Sequence, residues 1–181
     1  MVPFHGRQRA QELQALLDWC VDPDSAGIRL VVGQGNAGKT RLAAQLCRRL
    51  AEQGWPPGFV ADQVPTEAID RIRQRGEPAL LVLDYAETRS NLPKLIKRAA
   101  LRAGEPPMKL LLLARAAGDW WRQLPSLLPD AELLLAGVGV HELRPLAPDL
   151  DDRQAALAFC RAQVCPKASR KTGRSPSGSG L

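Results

Sequence analysis

The sequence predicts a three-layer α/β fold, in which a central parallel sheet of about five strands lies between two layers of helices. Continuous aliphatic runs at Ala79–Leu83 and residues 110–114 are typical of strands buried on both faces, as in parallel sheets. Segments with helical periodicity separate such runs, which favours right-handed βαβ crossovers. An apolar fraction of 45% and an aromatic fraction of 4% indicate an aliphatic core of domain size.

The first third of the chain predicts the order helix, strand, glycine-rich loop, helix. Apolar residues recur at helical spacing over residues 7–20, and turn-forming residues at 22–24 end that helix. The apolar run Ile28–Val32 follows as a strand. Leucines that repeat every four residues then mark a second helix, which stops at Gly54.

Weaker patterns predict the remaining elements. The expected additional strands are residues 59–61 and 138–143, and the expected helices are residues 66–75, 93–103 and 151–164. We therefore expect one α/β domain over residues 1–164, in which residues 1–22 form an N-terminal segment and helix.

Residues 165–181 predict a disordered basic tail, because they consist mainly of Pro, Ser, Gly, Lys and Arg and are nearly devoid of apolar side chains. Four of the 25 basic residues lie there without an acid, so the formal net charge of +6 falls to +2 without the tail. A nearly balanced body argues against a dedicated nucleic-acid surface. We expect no specific nucleic-acid binding.

The cysteines and the N-terminal residues indicate in which cellular compartment the protein is expected. Cys20, Cys47, Cys160 and Cys165 show no Cys-x-x-Cys spacing, which argues against a cysteine-ligated metal and favours reduced thiols. The first residues do not resemble a signal peptide, and no apolar run is long enough to span a membrane. A cytoplasmic protein without membrane contact is expected.

The glycine-rich loop carries the most specific signal. The pattern G-x-x-x-x-G-K-[ST] is matched in full by Gly33, Gln34, Gly35, Asn36, Ala37, Gly38, Lys39 and Thr40. Such a loop wraps its backbone amides around phosphate oxygens, and the helix that follows presents its positive end to the same anion. The lysine is expected to reach the β- and γ-phosphates, and the threonine hydroxyl to ligate Mg²⁺.

The same letters contain a second pattern. Gly33, Gly35 and Gly38 also spell G-x-G-x-x-G, the dinucleotide fingerprint of Rossmann domains, and Asp62 follows at a tolerable distance. A Rossmann turn has no use for the consecutive Lys39 and Thr40, so the nucleotide-triphosphate interpretation is favoured.

Asp84 ends the aliphatic strand Ala79–Leu83 as in a Walker B motif. A carboxylate at the C-terminal edge of a central parallel strand lies beside the phosphate crevice, where it can hold Mg²⁺ through the metal's water shell. The alternative is an acid that merely begins a loop.

Two further side chains are candidates for catalysis. Tyr85, not a glutamate, follows Asp84, so Glu87 is the nearest carboxylate for polarising an attacking water; a loop acid is the alternative. Arg115 follows the run at 110–114 and is a candidate for stabilising the γ-phosphate, or else a surface cation at a strand end.

These motifs in combination resemble the bacterial STAND NTPases, signal-transduction ATPases related to the AAA+ class. The resemblance covers residues 4–160 and rests on the F-x-G-R segment at 4–7, the loop at 33–40, the run LVLDYAETR at 81–89 and LLLAR at 111–115. It implies the P-loop NTPase fold, with the strand before Arg115 lying between the loop strand and the Asp84 strand. It also implies ATP or ADP with Mg²⁺ as cofactors, and adenine or ribose contacts from Phe4 and Arg7.

The resemblance implies a nucleotide-dependent signalling switch, with an effector protein or self-association as partner. Such proteins continue into a helical lid and further domains, and the polar tail from Cys165 suggests the hypothesis of a truncated gene product. We expect ATP hydrolysis to be slow or partner-dependent. The alternatives are a non-catalytic nucleotide-binding or interaction module and, less favoured, a Rossmann NAD-binding domain.

Overall fold

The computed structural model describes residues 7–65, 67–99, 107–128, 135 and 138–143, and a parallel sheet forms their centre. The strands are β1 (Ile28–Val32), β2 (Pro57–Phe59), β3 (Ala79–Leu83), β4 (Met108–Ala114) and β5 (Val140–Glu142). Their spatial order is β2-β3-β4-β1-β5, and every neighbouring pair is parallel. The predicted five-stranded sheet is confirmed, and β4 does separate the loop strand β1 from the Asp84 strand β3.

Helices cover both faces of this sheet. They are α1 (Arg7–Val21), α2 (Lys39–Glu52), α3 (Glu67–Arg73), α4 (Leu92–Ala99) and α5 (Asp119–Gln123), with 3-10 turns at Ala86–Thr88 and Pro125–Leu127. Helices α1 and α2 pack on one face, and α3 and α4 pack on the other. The three-layer arrangement is therefore confirmed.

The aliphatic strands are buried on both faces because their successive side chains enter different cores. On β4, Leu110 and Leu112 pack toward α3 and α4, whereas Leu111 and Leu113 pack toward α1 and α2. All seven residues of β4 are buried. This explains why the strand reads as a continuous apolar run instead of alternating.

Some element bounds differ from the prediction. Strand β2 is Pro57–Phe59, not residues 59–61, because proline is tolerated as the first residue of an edge strand and the apolar run is a poor guide there. Strand β5 covers only Val140–Glu142. The expected helix at 151–164 and the tail at 165–181 lie outside the described residues.

A buried lysine fixes the connection between α1 and β1. Lys109 on β4 is fully buried, and its ammonium donates hydrogen bonds to Asp22 O (2.9 Å), Ser25 O (3.1 Å) and Ser25 Oγ (2.6 Å). The Trp19 ring lies 5.7 Å from this ammonium and 5.2 Å from the Arg29 guanidinium. Burial lowers the pKa of Lys109. These contacts hold the C-terminal end of α1 against the sheet.

No helix in the described part of the chain is long and apolar enough to cross a membrane.

Candidate functional site

The glycine-rich loop joins the C-terminal end of β1 to the first turn of α2. Its backbone adopts left-handed conformations at Asn36 (φ 65°) and Gly38 (φ 84°), on either side of Ala37. Asn and Gly are the residues that tolerate this region. The Ala37 amide donates to Gln34 O at 3.2 Å, which closes the turn. Such a turn forms a concave surface of backbone amides that suits an anion.

A cavity of about 600 Å³ opens in front of this loop. It brings together residues from three segments of the sequence, namely Gly35, Asn36, Gly38, Lys39, Thr40, Arg41, Asp84, Tyr85, Glu87, Ala114 and Arg115. Eight of these were singled out from the sequence, whereas Arg41, Tyr85 and Ala114 were not. The predicted positions Gly33, Gln34 and Ala37 do not line it.

The three motif glycines have different surroundings. A Cβ atom on Gly35 or Gly38 would meet nothing within 4 Å, so both leave open space on the cavity side. A Cβ on Gly33 would lie 2.8 Å from Leu143 O and 3.2 Å from the Ala37 Cβ. Gly33 is thus required by the close approach of the chain that follows β5.

Lys39 begins α2 and turns its side chain back over the loop. Its ammonium donates to Gly33 O at 2.6 Å and to Gln34 O at 3.2 Å. These carbonyls hold the positive charge at the edge of the cavity. A phosphate oxygen is the kind of acceptor that an ammonium in this place can neutralise.

Thr40 and Asp84 meet although 44 residues separate them. The Thr40 hydroxyl donates to Asp84 Oδ2 at 2.8 Å, and Asp84 Oδ1 accepts the Tyr85 amide at 2.9 Å. A hydroxyl and a carboxylate are hard oxygen donors, which is what Mg²⁺ requires, with phosphates and water supplying its other ligands. The residues present therefore fit Mg²⁺ in a phosphate complex.

Glu87 reaches the end of the next strand. Tyr85 adopts a left-handed conformation (φ 52°) and starts the 3-10 turn at Ala86–Thr88, which directs Glu87 toward β4. Glu87 Oε1 accepts the Arg115 amide at 3.0 Å. Glu87 Oε2 is buried and has no hydrogen-bond partner among the described residues. The Arg115 side chain is exposed and lines the cavity.

Arg89 supports the turn that carries Asp84, a role that the sequence did not indicate. Its side chain is 4% exposed and donates to Asp84 O (2.9 Å), Val60 O (2.7 Å) and Ala61 O (3.1 Å), with an ion pair to Asp62 at 3.0 Å. This guanidinium joins the end of β2 to the end of β3.

The predicted base contacts Phe4 and Arg7 are not tested. Phe4 lies outside the described residues, and Arg7 is the first residue of α1 with a side chain that is not described. The arginine that reaches the loop is Arg9, which donates to Ala37 O at 2.7 Å. Its helical spacing to Leu13 and Leu16 is the signal that would have placed it on the buried face of α1.

Comparison with known proteins agrees with this architecture. The chain matches no protein-family model. It is 32% identical over 156 residues to a tetraacyldisaccharide 4'-kinase of Dechloromonas aromatica, an alignment that covers 75% of this chain and 44% of the kinase.

Two solved structures resemble the fold. Cdc6p from Pyrobaculum aerophilum matches with a TM-score of 0.61 and 16% identity over 91% of this chain and 52% of its own. The Walker-type ATPase PABY2304 of Pyrococcus abyssi matches with a TM-score of 0.57 and 14% identity over 89% and 59%. The chain thus spans about half the length of the proteins that it matches.

The strand order separates the two interpretations of the glycine pattern. In the Rossmann order the first strand lies beside the second, whereas here β1 lies between β4 and β5. Together with the loop and the solved structures, this order shows that the chain has the P-loop NTPase fold.

Proposed function

We propose that the chain binds Mg-ATP and Mg-ADP and acts as a nucleotide-dependent signalling switch of the STAND type. The observation that carries this proposal is the cavity that the glycine-rich loop, Lys39, Thr40 and Asp84 line together. The amides and the lysine neutralise phosphate charge, and the hydroxyl and carboxylate hold the cation. The predicted partner is an effector protein or a second copy of the chain.

We expect hydrolysis to be slow in the isolated protein. Glu87, the carboxylate proposed to orient water, already accepts a hydrogen bond from the Arg115 amide through one oxygen. Arg115 is the candidate for stabilising the negative charge of the γ-phosphate. In related chemistry an arginine finger from a partner contributes about 10³ to 10⁵ in rate. Rapid turnover by the purified monomer would contradict this part of the proposal.

Calorimetric titration with Mg-ATPγS, Mg-ADP, Mg-GTP and NADH tests the nucleotide proposal. We expect the wild type to bind the adenine nucleotides, and Lys39→Ala to weaken Mg-ATPγS roughly tenfold to hundredfold because a charge-assisted hydrogen bond is lost. The matched control is Lys94→Ala, which removes an exposed lysine of α4 outside the cavity. The control should bind as the wild type does.

Two outcomes would contradict the proposal. Absence of binding at millimolar nucleotide would mean that the loop no longer serves a ligand. NADH binding that survives Lys39→Ala would favour the dinucleotide alternative, since that ligand does not depend on the lysine.

The Glu87 contact favours a second candidate, a non-catalytic nucleotide-binding module. In that case Glu87 serves to hold the Arg115 backbone, and nucleotide binding occurs without turnover.

The similarity to the kinase of Dechloromonas aromatica favours a third candidate function, phosphoryl transfer to an acyl-disaccharide. ATP consumption that rises when a tetraacyldisaccharide is added would support transfer, and an unchanged rate would exclude it for this acceptor.

A further inference from the structure

Arg9 is a buried charged residue, as are Glu12 and Lys109. It is 3% exposed, and its guanidinium donates hydrogen bonds to Glu12 and to the loop residue Ala37. One nitrogen donates to Glu12 Oε2 at 2.5 Å, and another donates to Ala37 O at 2.7 Å. A buried cation is stable only when such partners replace its water, so this arrangement is specific.

Glu12 orients the guanidinium. It lies one turn further along α1, accepts a second hydrogen bond from Gln8 Nε2 at 3.2 Å, and is 9% exposed. Because Glu12 holds Nη1 of the planar guanidinium, Nη2 is directed at the loop. Arg9 therefore reaches Ala37, 28 residues away in sequence, from a fixed direction.

The bond to Ala37 O determines where the next amide points. Ala37 O and the Gly38 N–H belong to one planar trans peptide, and these two groups point in opposite directions. Because Ala37 O faces Arg9, the Gly38 amide faces away from Arg9. Gly38 lines the cavity and adopts a left-handed conformation (φ 84°). As a glycine it has no side chain whose packing could hold the peptide in place.

We propose that Arg9 is a positioning residue for the phosphate-binding loop, holding the Ala37–Gly38 peptide with its amide directed at the cavity. The inference rests on the proposed nucleotide binding. The guanidinium also places a positive charge behind the loop, on the side opposite the anion.

The test removes the guanidinium without leaving a buried carboxylate. In the double variant Arg9→Met/Glu12→Leu, we expect the dissociation constant for Mg-ATPγS to rise roughly tenfold or more, as for the loss of a charge-assisted hydrogen bond. Inorganic tripolyphosphate should lose affinity by a similar factor, because the loop contacts only phosphates.

NMR spectroscopy gives a second readout. The Gly38 amide resonance in a ¹⁵N-resolved spectrum should shift, and its amide hydrogen should exchange faster with solvent. Gln11→Ala, at an exposed position of α1, is the control and should bind both ligands within about threefold of wild type.

The outcomes separate this inference from the nucleotide proposal. If the wild type binds and the double variant binds equally well, Arg9 does not position the loop. If the wild type binds no phosphate ligand, the nucleotide proposal fails, whereas an unchanged Gly38 resonance would still overturn the role of Arg9. Should Arg9→Met/Glu12→Leu fail to fold, Arg9→Gln/Glu12→Gln places neutral amides at both positions. The side chain at position 9 is then too short to reach Ala37 O, and the same losses are expected.

Discussion

At the scale of single residues, the two oxygens of Glu87 have different surroundings. Oε1 accepts the Arg115 amide, and Oε2 is buried without a partner in the described part of the chain. The first contact fixes the side chain beside the cavity. The second oxygen has the unused acceptor capacity that a general base needs.

Glu87→Gln tests that role. The amide keeps an oxygen for the Arg115 N–H but cannot accept a proton, so we expect ATP hydrolysis to fall about 10²-fold or more while Mg-ATPγS binding changes less than about threefold. Phosphate release and calorimetry measure the two quantities. Glu77→Gln, at an exposed loop position away from the cavity, is the control. A wild type with measurable binding and no turnover would support the non-catalytic module.

Site residues could be predicted where they belong to a short motif of consecutive residues. The loop at 33–40 and Asp84 are recognisable because phosphate and metal binding demand a fixed order of neighbours. Arg9 and Arg89 were not, since each acts on a backbone carbonyl that only the tertiary fold brings near. Whether Phe4 and Arg7 contact a base stays a prediction.

At the scale of elements, Arg89 joins two strand ends across the edge of the sheet. It binds the carbonyls of Val60 and Ala61 after β2 and that of Asp84 after β3. Arg89→Lys keeps the charge but cannot make all three bonds. We expect it to lower the free energy of unfolding by about 1–3 kcal/mol, because the half-buried carbonyls of Val60 and Asp84 lose their donors. Urea denaturation measures this, and Arg75→Lys, an exposed position after α3, should change it by less than about 0.5 kcal/mol.

Elements were predicted well where burial is complete. The bounds of β1 and β3 agree with the aliphatic runs because every residue of β3 and most of β1 are buried. Edge strands β2 and β5 were misplaced by one to two residues at their ends, since half-exposed positions accept residues such as Pro57, Gly58 and Glu142. The position of β4 between β1 and β3 came from the family resemblance, because periodicity carries no information on which strands are neighbours.

At the scale of the whole molecule, two buried or half-buried thiols make the free energy of unfolding depend on pH in the alkaline range. Burial raises the pKa of Cys20 to about 12, opposed by nearby Lys109 and Arg29, and burial raises the pKa of Cys47 to about 11. Above pH 9 the unfolded thiols lose protons that the folded chain retains. The contribution of these two thiols to the free energy of unfolding must therefore fall as the pH rises from about 9 to 11.

Urea denaturation at about pH 8, 9 and 10 checks this sign. For Cys20 the slope is at most about 1.4 kcal/mol per pH unit. The variant Cys20→Ala/Cys47→Ala should show a flatter decline than the wild type. Lys109 acts with the opposite sign, since burial lowers its pKa, and its charge interacts with Cys20, so part of the difference between the two proteins comes from this pair. Equal slopes would contradict the burial of the thiols.

The contact of Gly33 with Leu143 has a consequence for how the sequence can drift. A methyl group at position 33 would meet a backbone oxygen at 2.8 Å, and backbone cannot rotate aside as a side chain can. The first letter of the phosphate-binding pattern is thus set by a neighbour 110 residues downstream and not by phosphate. A homologue that no longer bound the ligand could lose Lys39 and still need Gly33 for packing. The end of the pattern is therefore expected to change before its first glycine does.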